Sequence, residues 1–181
     1  MQRRVLVIAN ERGAALVIGL LTLALLSLLG SASTTTSRTE IQIAGNDKAY
    51  KEAFYTAEVA LTAGEMVVEK FLNRTDLAEQ DTAGHYGEAG SENEQPGWHD
   101  LTWNDTDSVK VATGDIPSGL ANHGAVARYI VAQRNFIRDS LTMGIGVPTG
   151  RYNFNLTGLG TSTSKHAAET VLQTIYAKRY D

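Results

Sequence analysis

The sequence predicts an α+β protein: a long N-terminal α-helix, its first half apolar and its second half amphipathic, packed against a C-terminal antiparallel β-sheet. Three observations predict it. An uncharged apolar run from Gly13 to Ala32 opens the chain, helical periodicity returns between Glu40 and Asn73, and period-two alternation takes over from Val109 onward. The division that follows is a leader at 1–13, an apolar helix at 14–33, an amphipathic helix at 34–73, an acidic connecting loop at 74–107 and a sheet-bearing head at 108–181.

The apolar run holds eight leucines between Leu16 and Leu29 and no proline. At the helical rise it covers roughly 28 Å, close to the ~30 Å hydrocarbon layer of a bilayer. It reads as a membrane segment, with Leu16, Val17, Ile18, Leu20, Leu21, Leu25 and Leu28 as its candidate packing residues. A cleaved secretory signal has a core of about 7 to 15 apolar residues before a small-residue site. Ser31-Ala32-Ser33 imitates such a site, but the core here is longer, which favours a retained anchor. Arg3, Arg4 and Arg12 precede it against the single acid Glu11, so the positive-inside rule leaves residues 1–12 in the cytoplasm and sends everything after Ser33 across.

Gly30 to Thr39 is crowded with serine and threonine, which compete for backbone hydrogen bonds and lose rotamer freedom in a helix. Two readings stay open there: a juxtamembrane linker, or a point where one long helix loosens on packing. From Ile43 the helical period is strong, with Tyr50, Ala53, Ala57, Ala60, Gly64, Val67 and Phe71 recurring and Phe54, Leu61, Val68 and Leu72 widening the stripe. Small residues at 53, 57, 60 and 64 admit a close neighbour, Val67, Val68, Phe71 and Leu72 supply bulk near the end, and Ala53, Ala57, Ala60, Leu61, Gly64, Val67, Val68 and Phe71 are the candidate helix-to-sheet packing residues. As a single rod, residues 14–73 would span roughly 90 Å.

Net charge is -4, and residues 75–107 carry nine acids with no lysine or arginine. Such a balance argues against a nucleic-acid partner, which needs clustered cations. With no cysteine, no disulfide staples the head. Pro96-Gly97 marks a turn, and Trp98 and Trp103 are expected to pin the loop onto the head. Strands are expected at 108–113, 126–134, 151–158 and 169–178, with 135–143 an excursion and Gly158 to Ser162 a turn.

Catalytic signatures are missing from the sequence. Gly158-x-Gly160 followed by Lys165 lacks the Gly-Lys-Ser/Thr ending of a phosphate loop, and no Gly-x-Ser-x-Gly elbow occurs. Asn104, Asp105 and Asp107 could ligate calcium, yet the twelve-residue loop pattern is absent. His85, His99, His123 and His166 show no ligand spacing, so surface or capping roles are expected for each. No enzyme, metal site or cofactor is expected.

Two stretches together resemble the PilX-type minor pilins of type IV pili. One is Arg12-Gly13 followed by Ala14-Ala15-Leu16-Val17-Ile18; the other is Glu40-Ile41-Gln42-Ile43-Ala44-Gly45-Asn46 with Ala53-Phe54-Tyr55-Thr56-Ala57-Glu58-Val59-Ala60-Leu61 and Gly64-Glu65. The resemblance implies a type IV pilin-like fold and a prepilin leader cut between Gly13 and Ala14. It also implies a non-catalytic subunit held in the inner membrane with its head in the periplasm, then incorporated in the pilus. Implied partners are the prepilin peptidase, the inner-membrane assembly platform, the major pilin and other minor pilins; implied roles are priming of assembly and adhesion, aggregation or motility. The sequence departs from most pilins at Ile18, where they carry Glu, and at Ala14, where Phe or Met is commoner. The first departure suits a minor subunit. A type II secretion pseudopilin and a signal-anchored periplasmic sensor or binding domain are the alternatives.

Overall fold

A computed structural model describes residues 11–71, 83–87, 101–139, 150–162 and 167–180. In chain order they form α1 (Glu11–Lys70), β1 (His85–Tyr86), β2 (Val109–Lys110), a 3-10 turn (Thr113–Asp115), α2 (Ser118–Ala121), β3 (Val126–Arg138), β4 (Gly150–Ser162) and β5 (Ala168–Tyr180). By internal packing the chain divides into two units, Met1–Ala44 and Gly45–Asp181.

In the first unit the serine and threonine run is α-helical in the single chain rather than a non-helical linker. Its hydroxyls are satisfied within the helix. Ser31 donates to the Leu28 carbonyl (2.9 Å), Thr34 and Thr35 to Ser31 (2.8 and 3.0 Å), Thr36 to Ala32 and Thr39 to Thr35 (3.1 Å each). Folded back onto the preceding turn, they no longer offer the backbone an alternative to the helix.

The second unit is a mixed sheet in the order β1-β3-β4-β5, with β2 also on β3, covered on one face by the C-terminal part of α1. β2 to β5 pair antiparallel as expected, but the two-residue β1 pairs parallel, placing His85 and Tyr86 beside Val131 and Ala132. β1 lies in the stretch read as a loop. Gly84, at φ 73°, turns the chain into it and accepts a hydrogen bond from the Val131 amide at 2.8 Å.

Two further expectations are corrected. Of the expected excursion at 135–143, residues 135–138 continue β3 rather than leaving the sheet, because a bulge between Gln133 and Asn135 absorbs one residue and pairing resumes with Asn153, while 140–143 lie outside the described residues. Gly158 to Ser162 is the end of β4, paired with β5 through Ser162 and Ala168, and not a turn. Its glycines have a packing role. A Cβ on Gly160 would lie 2.1 Å from the Ala53 carbonyl oxygen and 2.2 Å from the Ala57 amide nitrogen, and one on Gly158 would lie 2.8 Å from the Ala57 oxygen. Helix backbone rests directly on strand backbone.

The helix supplies the matching surface. Ala53, Ala57 and Ala60 are fully buried, and a Cβ on Gly64 would lie 2.7 Å from Leu156 Cδ2. Further along, the space widens and bulk fills it: Val68, Phe71, Tyr152, Phe154 and Leu156 share one core, with the Phe71 and Phe154 rings 6.3 Å apart. Ile43 and Tyr50, counted in the sequence stripe, are exposed; the buried row begins at Ala49 and includes Thr56, whose hydroxyl donates to the Glu52 carbonyl at 2.7 Å.

Polar ties close both ends of this contact. Ser162 meets Glu52 at 3.0 Å, and the Tyr176 hydroxyl donates to Glu69. Lys178 Nζ donates to the carbonyls of Val68 (3.0 Å), Glu69 (2.7 Å) and Phe71 (2.6 Å). A cation thus satisfies the carbonyls that the helix end leaves over.

Two outcomes are expected in urea melts of the full chain in detergent. Gly160→Ala costs about 3 kcal/mol, since neither backbone can retreat, whereas Gly114→Ala, with nothing within 4 Å, changes stability by less than about 0.5 kcal/mol. Lys178→Met costs about 2 kcal/mol by stripping the charged donor from the end of α1.

Candidate functional site

The apolar half of α1 is the surface that most needs an occupant. Leu16, Val17, Ile18, Leu20, Leu21, Leu25 and Leu28 are all exposed, from 55% at Leu25 to 69% at Leu28, and leucines appear on every side of the helix. A helix apolar all round belongs in a core or a membrane, and none of the described residues of its own unit buries it. At about 2 kcal/mol per large apolar side chain, leaving the ten between Leu16 and Leu29 in water would cost on the order of 20 kcal/mol. Lipid or other helices must supply the apolar surroundings. Thr22 suits such a medium because its hydroxyl is bonded to the Gly19 carbonyl at 2.9 Å.

Gly13 and Ala14 lie in the first described turn of α1 (Glu11–Lys70). The peptide bond between them is helical.

In the second unit, Leu61 and Val67 are half-buried beside the fully packed Ala53, Ala57, Ala60 and Val68, and Gly64 and Phe71 are buried. Beyond Val67 the helix edge opens on a groove of about 820 Å³. Val59, Ala63, Met66 and Val67 form its helical wall, Val109, Val111, Pro117 and Leu120 the facing wall, and Glu58, Lys70, Lys110 and Asp115 add charges of both signs. Its chemistry suits an apolar ligand or side chain with polar ends.

Arg128 organises the acidic loop. Its guanidinium donates to the Asn104 carbonyl (2.9 Å) and to Ser108 Oγ (3.1 Å) and pairs with Asp105, holding that carboxyl below the usual range. Asn104 Oδ1 accepts from the amides of Thr106 (2.9 Å) and Asp107 (2.7 Å), and Asn104 Nδ2 donates to Asp107 at 2.9 Å. A side-chain cation from β3 thus meets Asp105, one of the three side chains considered for calcium. Among the described residues no cluster of three or more His, Asp or Glu could hold a metal.

His85 departs from the surface role expected of it. It is buried, 6% exposed, with its ring edge-on to Phe71 at 6.1 Å and tilted against Tyr129 at 6.4 Å, and burial lowers its pKa. His123 is exposed; His99 and His166 lie outside the described residues. Across the sheet, Trp103 and Leu101 pack on Tyr86, Ile130 and Ala132, while Trp98 also lies outside them. Tyr86 donates to the Asp107 carbonyl at 3.2 Å, which ties β1 to the acidic loop. Sequence reasoning missed Arg128, Lys178 and the helix-contacting glycines 158 and 160. Only the alternation running past Leu156 hinted that β4 continued.

Residues 12–62 match the family model described as PilX N-terminal. No curated protein and no solved structure matches the chain.

The buried imidazole predicts a pH dependence. The unfolded chain titrates His85 near 6.5, whereas the fold favours its neutral form. As pH falls below 6.5 the unfolded state takes up a proton that the folded state refuses, so stability drops until the lower folded pKa is passed. Comparing urea midpoints at pH 7.5 and 5.5 should show that His85→Phe loses less stability than the parent chain.

Proposed function

We propose that this chain, a PilX-type pilin by its residues 12–62, is a non-catalytic minor pilin of a type IV pilus. A membrane-held precursor is cut between Gly13 and Ala14 by the prepilin peptidase, with its head on the periplasmic side. The assembly platform then lifts the apolar helix from the inner membrane, and Leu16, Val17, Ile18, Leu20, Leu21, Leu25 and Leu28 pack among the helices of the major pilin and other minor pilins. The observation that carries this reading is the coincidence of the family match with a helix whose leucines all lack a partner in their own unit. Exchange of lipid for helices is nearly neutral in hydrophobic terms, so van der Waals packing selects the neighbours.

Ile18, fifth after the cut, brings no carboxylate into the bundle and cannot neutralise a neighbour's terminal amine. That fits a subunit used sparingly, one that primes assembly and contributes to adhesion, aggregation or motility, rather than the repeating one. Ala53, Ala57, Ala60, Leu61, Gly64, Val67, Val68 and Phe71 keep the head seated on its helix while the other half changes surroundings.

The groove beside Met66 and Leu120 favours a second reading, a membrane-anchored periplasmic domain that binds an apolar ligand. Mass spectrometry of surface fibres detached by shear separates the two. A peptide beginning at Ala14 is expected in the fibres and should vanish in Gly13→Leu; a chain that keeps residues 1–13 and never enters fibres overturns the pilin reading.

A further inference from the structure

We propose that the outer edge of β5 docks on β5 of a second copy of this chain, the two strands running antiparallel about a two-fold axis at Thr174. β5 ends the sheet order, and among the described residues no strand pairs with its outer side. Its thirteen residues pair with β4 without a bulge, from Ala168 opposite Ser162 to Tyr180 opposite Gly150. Long flat edges of this kind are normally guarded by proline, a bulge or an inward lysine. β5 has no proline and no bulge, and its one lysine, Lys178, is drawn to the carbonyls at the end of α1.

The outward face of the strand says which partner fits. It reads Glu169, Val171, Gln173, Ile175, Ala177 and Arg179, with one acid at one end, one base at the other, and exposed apolar residues between (Val171 53%, Ile175 64%). This pattern complements itself when reversed. Antiparallel pairing centred on Thr174 sets Glu169 opposite Arg179, Val171 opposite Ala177 and Gln173 opposite Ile175, twice over by symmetry. Parallel pairing would set like charges side by side, and a slip of two residues would separate the ion pairs. Arg179 also meets Asp139 of its own chain at 2.8 Å, and with its side chain 64% exposed it can serve both carboxylates. The proposal uses the head alone and does not depend on the filament reading.

The chain has no cysteine, so single cysteines report the register directly. In the full chain in detergent micelles under mild oxidation, T174C should link to itself, V171C should not, and V171C mixed with A177C should. By analytical ultracentrifugation, E169R and R179E should each weaken the dimer about tenfold, and E169R/R179E should restore it. Urea melts of each variant confirm that the head is folded. The proposal is overturned if T174C links no more than G114C, if V171C alone links as well as T174C, or if the double variant stays as weak as the single ones. A dimer indifferent to all three charge variants is held elsewhere and overturns it too.

Discussion

The head depends on one contact, the seating of helix backbone on strand backbone where Ala53 and Ala57 of α1 meet Gly158 and Gly160 of β4. A Cβ at either glycine would fall inside contact distance of the helix backbone, 2.1 Å from the Ala53 oxygen at Gly160 and 2.8 Å from the Ala57 oxygen at Gly158, and would force the two elements apart. Close approach there has a consequence at the other end, where the gap widens and Val68, Phe71, Tyr152 and Phe154 fill it. The interface therefore grades from backbone contact to aromatic packing within six turns of helix. The polar ties from Ser162, Tyr176 and Lys178 act at its two limits, outside the apolar seam, so they set alignment without placing unpaired polar groups in the core.

The apolar half of α1 obeys the opposite rule. Its side chains are large where the seated half is small, and none finds cover in its own unit. One helix thus carries two packing chemistries: leucines that suit lipid or other leucine-rich helices, and alanines that suit one particular strand. Through residues 31–39 the serine and threonine hydroxyls are bonded to carbonyls of the preceding turn, within the helix.

Charge follows a similar division. Arg128 pairs with Asp105 of the connecting loop near the end of β2, and Lys178 caps the helix, so two of the eight lysines and arginines at 108–181 are committed internally. The outer face of β5 is left with one acid and one base at its opposite ends, which is the pattern a self-pairing strand requires.

By itself the sequence determined what is local: the leucine run, the small-residue row at 53, 57, 60 and 64, and the alternation of the later strands, because periods of 3.6 and 2 are written in neighbouring residues. Tertiary structure decided the rest. Glycine is equally at home in a turn and beneath a helix, so only the arrival of α1 shows that residues 158 to 162 extend β4. Strand β1 is two residues long and carries no period to read. Lys178 and Arg128 find their partners 107 to 110 and 20 to 24 positions away, and pairing over such spans is created by folding rather than by spacing.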